Sequence, residues 1–327
     1  MATYRKDKGI NVKSYTADPP NSSPSAFEGK LYYHSGDGLF KYQTLGAGAW
    51  ASGGNINTGR NDSSGAGTSS AGLMIGGNSP DNSIVESYDG TSWTEIADLN
   101  TGRRALTSTG VQTAALAMGG GEAGGYLDVV EKWNGTSWTE VNEVNTGRGH
   151  KPASCGITTA GLFFGGGEPP GATHSGKTES YDGSSWTETG DLNDVGFMTC
   201  GGGTSTSAVC AGGTNRPAEA ETFNGTSWTE VSDINTGRNV LMGTGYSNSD
   251  SMVFGGGSPG QVTEYWDGSS WTELADLAAV HSGSGSSAST GAGVSSAFVA
   301  GGDGATAVVA TTEEWAVTHT LKKVTMA

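Results

Sequence analysis

The sequence predicts an all-β fold, a β-propeller of four-stranded blades, and three observations predict it. Tryptophan recurs at Trp50, Trp93, Trp138, Trp186, Trp228 and Trp271, with gaps of 43, 45, 48, 42 and 43 residues. An apolar run ends in a glycine pair once per repeat, at Gly76-Gly77, Gly119-Gly120, Gly165-Gly166, Gly212-Gly213, Gly255-Gly256 and Gly301-Gly302. No segment carries apolar residues at helical spacing, so almost no helix is expected. A period of about 44 residues with these features is that of a propeller blade.

Each repeat reads as four short strands. The first is rich in Gly, Ser and Thr, as at residues 105–111, and small side chains suit the crowded innermost position. The second is apolar and ends at the glycine pair, as at residues 162–166. The third carries Glu and then an aromatic residue: Tyr88, Trp133, Tyr181, Phe223, Trp266 or Trp315. Asp89-Gly90, Asn134-Gly135, Asp182-Gly183, Asn224-Gly225 and Asp267-Gly268 then turn the chain, because these dipeptides tolerate positive φ in tight hairpins. The fourth strand carries the repeated Trp. One such sheet cannot cover both of its apolar faces, whereas neighbours in a ring cover each other. The repeated aromatics are therefore expected to fill the core between blades.

Six blades are favoured, with residues 48–54 supplying the outer strand of the last blade and locking the ring. Seven remain open if residues 30–35, 39–43 and 49–53 form a blade of their own, with residues 318–327 as a degenerate outer strand.

The glycine pair, the aromatic followed by Asp or Asn, and the Trp a few residues later resemble the kelch-repeat family over residues 48–315. The turn before the Trp is shorter than in many kelch repeats, and the repeats are unusually alike. The resemblance implies a kelch-like β-propeller over residues 48–327, preceded by an arm, a Pro/Ser linker and a β-hairpin in residues 1–47.

Seventeen Lys and Arg against 33 Asp and Glu give a formal charge of −16. Such a surface repels nucleic acid and anionic membranes as general partners. Cys155, Cys200 and Cys210 cannot all pair within one chain, contain no CxxC, and are expected to be buried thiols made in a reducing compartment. Residues 1–15 lack an apolar stretch, and no run approaches a membrane span, so neither a signal peptide nor membrane insertion is expected. The five histidines show no zinc spacing, and no signature of a copper-oxidase site is found, so no metal or cofactor is assigned.

Ten residues after the six Trp stand Arg60, Arg103, Arg148, Gly196, Arg238 and His281. This position follows the return of the chain toward the central axis. One reading collects Arg60, Arg103, Arg148, Arg238 and His281 in a ring at the channel mouth, clamping carboxylate, sulfate or phosphate groups. The other, which the sequence favours, pairs them with the repeated Glu86, Glu131, Glu179, Glu221 and Glu264.

Residues 30–43 read as a hairpin turning at Gly36-Asp37-Gly38, with an aromatic strand on either side. This segment followed by Trp/Gly repeats resembles the kelch-like virion and tail-appendage proteins of marine bacteriophages. The resemblance implies a non-enzymatic virion protein, in a tail fibre, tail appendage or capsid decoration. It would be anchored to other virion proteins through residues 1–47 and display the propeller toward a host-surface glycan or protein, with homo-oligomerisation left open. An intracellular kelch-type adaptor and a glycan-active or copper propeller enzyme are the alternatives.

Overall fold

The computed structural model describes residues 14–15, 31–78, 83–122, 125–169, 173–197, 199–283, 285–286 and 293–324. Contacts divide the chain into two compact units: residues 49–316, and residues 1–48 with 317–327.

Residues 49–316 form a propeller of six blades. Five are four-stranded antiparallel sheets in sequence order, the first built from Ser64–Thr68, Ala71–Ile75, Val85–Tyr88 and Trp93–Glu95. The sixth takes Gly285–Ser286, Ser296–Ala300 and residues 312–316 from the end of the unit and residues 49–52 from its beginning. Gly53 donates its N–H to Thr312 O at 2.9 Å, and Ile56 donates to Ala310 O at 2.9 Å. Trp50 packs 5.4 Å from Trp315 and 4.9 Å from Phe254. The ring thus closes with the chain's first propeller strand beside its last, as six blades require.

The template has a local cause at each step. Fourth-strand Trp and third-strand aromatic lie opposite each other across the turn, with the rings in contact. Their ring centroids are 4.7 Å apart for Tyr88–Trp93, 4.8 Å for Tyr181–Trp186 and 5.3 Å for Trp266–Trp271. Apolar clusters then fill the gaps between neighbouring blades, such as Leu73, Ile75 and Val85 of the first with Ala115, Ala117 and Trp133 of the second. The glycine pairs sit at positive φ, Gly77 at 120°, where a Cβ would stand 2.7 Å from Asn61 O. Only glycine fits there. The three cysteines are free and buried, and burial pushes the Cys200 thiol up to about 12 and that of Cys210 to about 11.

In the other unit, Tyr32–His34 pairs antiparallel with the strand beginning at Leu39, through the expected turn, where Gly38 N–H reaches His34 O at 2.9 Å. Ser14 and Tyr15 add a short parallel pairing. The rest of the arm and linker expected before residue 30 lies outside the described residues. Residues 317–327 group with this unit rather than with the propeller. The physical reason is a strand, Thr312–Lys323, that outruns its blade, after which Val324 N–H bonds Phe40 O at 2.9 Å. Among the described residues no helix is long and apolar enough to cross a membrane.

The hairpin turns carry a pH signature. Asp89 Oδ1 accepts the N–H groups of Thr91 and Ser92, each at 2.8 Å, and Asn134 Oδ1 does the same in the second blade at 2.9 Å. These bonds hold the carboxyls of Asp89 and Asp182 below their ordinary range. Asp267 falls to about 2, first through the Ser269 hydroxyl and then through the N–H groups of Ser270 and Ser269. A carboxyl lowered on folding contributes stability above its unfolded pKa, and that stability is lost as pH falls through the folded one. The triple variant Asp89→Asn, Asp182→Asn, Asp267→Asn keeps the acceptor and removes the titration. Its urea midpoint should fall less than the parent's between pH 7 and about pH 2.5, below the ordinary Asp pKa of about 3.9.

Candidate functional site

The residues ten after each Trp lie inside the blades. Arg60, Arg103, Arg148 and His281 are fully buried and Arg238 is 3% exposed, so the reading of a solvent-facing ring gives way to internal pairing. Arg60 bonds Glu86 at 2.5 Å, Arg103 bonds Glu131 at 2.5 Å, Arg148 bonds Glu179 at 2.9 Å and Arg238 bonds Glu264 at 2.7 Å. The same Glu86 accepts Asn57 N–H at 2.7 Å and Asn57 Nδ2 at 2.8 Å, while Arg60 Nε donates to Gly76 O at 2.9 Å. The repeated Asn-Thr-Gly-Arg is therefore a clamp. It ties the connection entering each blade to that blade's third strand and glycine pair. Burial lowers the pKa of Arg103 and Arg148, and their glutamates act against it.

The two departures from the template are compensated. In the fourth blade Arg216, from the connection between the second and third strands, reaches Glu221 at 2.8 Å. A Cβ at Gly196 would meet Arg216 Cγ and Cδ at 2.9 Å, so Gly196 makes room for the substitute guanidinium. In the sixth blade His281 Nε2 lies 3.4 Å from Glu313, whose carboxylate also accepts the N–H groups of Ala278 at 2.8 Å and Ala279 at 2.9 Å. Burial works to raise the Glu313 pKa, but His281 and these two amides outweigh it and leave the pKa lowered. Glu313 and Arg216 were missed in the sequence. Glu313 has the same offset from Trp315 as Glu86 has from Tyr88, whereas Arg216 has no repeat position to announce it.

Immediately beyond the clamp the backbone turns left-handed, at Asp62, Ala105, His150, Lys151 and Val240, with φ between 51° and 57°. Ala105 N–H bonds Asp62 O at 2.7 Å and Lys151 N–H bonds Ala105 O at 3.0 Å, linking successive blades around the channel mouth. Below lies a cavity of about 60 Å³ lined by the starts of the inner strands, with Ser63, Thr107, Ser108, Ser154 and Thr199 among its walls. Thr107 and Ser154 hydroxyls pair at 2.8 Å and Ser108 donates to Ser64 at 2.7 Å, whereas Ser63 Oγ is buried without a hydrogen-bond partner. Such a polar space suits water.

Lys151 stands at the threshold, its Nζ 4.0 Å from Asp62 Oδ1 and 3.4 Å from Ser63 O. Burial lowers its pKa, against the pull of Asp62 and Asp303. It also lines a second, larger cavity of about 300 Å³, together with Asp62, Arg104, Ala105, Gly121, Tyr126 and His150. This mouth pocket gathers two cations, one carboxylate, a phenol and an imidazole from three successive blade connections and one hairpin. Such an arrangement can hold a small polar ligand. Sequence reasoning missed it, although the longest Trp-to-Trp gaps, 45 and 48 residues, mark the same repeats. Among the described residues no group of three or more His, Cys, Asp or Glu stands ready to hold a metal ion.

A double-mutant cycle checks the compensation in the fourth blade. Arg216→Ala should destabilise by about 3–5 kcal/mol, because it strands a buried carboxylate. Gly196→Arg alone should also destabilise, by crowding. Together they should restore the template clamp, with a coupling of about 1 kcal/mol or more in urea unfolding. Losses that add would show that the two positions do not share Glu221. Compared with known proteins, the chain matches no family model, and no curated protein matches it.

Proposed function

We propose that the chain is a non-enzymatic display protein of a bacteriophage particle. In this reading the propeller is the binding platform and the N-terminal unit its attachment. The observation that carries the proposal is the separation of roles within the propeller. The repeated Arg and Glu of the clamps are internal and tie the ring together, while several polar residues outside the template line one mouth pocket. That pattern supports a protein made to present a surface, and a propeller is compatible with protein binding.

Three further features support the finer reading. The N-terminal hairpin with its aromatic strands carries the resemblance to virion appendages. Residues 1–48 fall in a compact unit of their own, together with residues 317–327. The ring closes through paired strands and buried ion pairs, with its three cysteines free, so it does not depend on disulfides outside the cell. Partners would be neighbouring virion proteins through residues 1–47 and a host-surface glycan or protein at the mouth. Many copies on one particle would raise avidity from weak single sites.

Mass spectrometry of purified particles from the source culture tests this. The expected result is the chain at a copy number compatible with particle symmetry, and that number separates tail from capsid placement. Absence from particles, with the chain present in cells, would overturn the virion reading.

A further inference from the structure

The repeats differ in one respect that core burial does not require. The second and third blades carry extra hairpins before their third strands, Gly121–Glu122 with Gly125–Tyr126 and Gly167–Glu168 with Thr173–His174. Each ends in an aromatic side chain at the mouth. Tyr126 meets His150 edge-on at 5.2 Å, His150 lies 5.0 Å from Phe197, and Phe197 stacks on His174 at 4.4 Å. Four rings from four separate segments thus touch in series, and all four are partly exposed. Gly149 permits the first contact, because a Cβ there would stand 2.5 Å from Tyr126 Cδ1.

The cations beside this ledge are unequal. Lys151 is held by Asp62 and Ser63. Arg104 is exposed, reaches Asn78 Oδ1 at 3.4 Å, and has no carboxylate partner among the described residues. Its backbone is fixed, exchanging N–H···O bonds of 3.0 and 2.8 Å with Gly121 at the root of the Tyr126 hairpin. On a chain of net charge −16, an exposed guanidinium with no carboxylate partner among the described residues, beside an aromatic ledge, offers an anion a point of contact.

We propose that the mouth pocket binds one carboxylate-bearing sugar residue. The inference rests on the reading of the mouth as the propeller's binding face. The sugar ring would lie against Tyr126 and His150, its carboxylate would take the two parallel N–H groups of Arg104, and its hydroxyls would donate to Asp62. Asp62 decides the class. A carboxylate acceptor in the same pocket as Arg104 disfavours a ligand that is merely acidic, and it rewards one that also brings donors. The cavity of about 300 Å³ is at the small end of ligand sites, suited to a single ring rather than a peptide.

The test uses the full chain with sodium glucuronate, N-acetylneuraminate, neutral methyl glucoside and an oligoglutamate peptide. Binding is followed by saturation-transfer NMR and calorimetry. At least one acid sugar should bind about tenfold or more tightly than methyl glucoside, as a charge-assisted contact predicts. Arg104→Gln should abolish that preference with an unchanged melting temperature, and Tyr126→Leu should weaken every sugar. Failure of both acid sugars to bind, parent-like selectivity in Arg104→Gln, or tighter binding of the peptide would each overturn the inference. A sugar failure in a protein found in particles sinks this inference alone. Sugar binding by a protein absent from particles sinks only the virion reading.

Discussion

The buried ion pair between the arginine entering a blade and the glutamate of its third strand is the constraint on which the propeller depends. Desolvating two charges is expensive, and their attraction offsets it only when the remaining donors and acceptors are also satisfied. Here they largely are. Glu86 receives Arg60, Asn57 and the Thr58 N–H, and Arg60 in turn bonds the carbonyls of Thr58, Met74 and Gly76. One side-chain pair therefore ties three backbone segments together. Apolar packing between blades supplies a non-directional driving force. The clamp supplies direction, setting where each connection crosses and where the next inner strand begins.

The two irregular blades show which part of this device matters. In the fourth the cation comes from a different connection, and in the sixth an imidazole replaces the guanidinium, yet Glu221 and Glu313 stay buried and partnered. A buried carboxylate without its cation is more damaging than a cation from an unexpected place. Drift at the arginine position is thus tolerated where a neighbouring segment brings charge to the same glutamate. The asymmetry at Gly196 and His281 belongs to the core, and it gives no pointer to a ligand.

The fold was legible because burial repeats. Each blade must cover the next, so Trp, the third-strand aromatic and the glycine pair recur at nearly constant spacing. Closure by residues 48–54, favoured over a seventh blade because the last repeat lacked an outer strand, is met by residues 49–52. The site was less legible, for reasons of a residue or two. Ten positions after Trp50 the chain is at Arg60, inside the blade, and twelve after it the chain is at Asp62, on the mouth. A strict periodicity locates the shared residues and is blind to those that differ. Arg104, Tyr126, His150 and Phe197 match nothing in the other repeats, so no spacing argument reaches them. Of these only Tyr126 leaves a trace in the sequence, through the lengthening of the second repeat.

That lengthening ties the scaffold to its site. A ring held by six clamps presents six entries at its mouth, and left-handed backbone follows the clamp arginines Arg60, Arg103, Arg148 and Arg238. Symmetry alone would offer only repeated weak contacts. Two inserted hairpins in neighbouring blades break it on one side, adding Tyr126 and His174 without disturbing the clamps at Glu131 and Glu179. Charge acts on two scales in the same way. The net charge of −16 repels anions at long range, but at physiological salt it is screened beyond about 8 Å. Inside that distance the pocket's own groups matter more than distant charges: Lys151 with its Asp62 partner, and the exposed Arg104. A ligand held there would be discriminated at contact rather than by long-range steering.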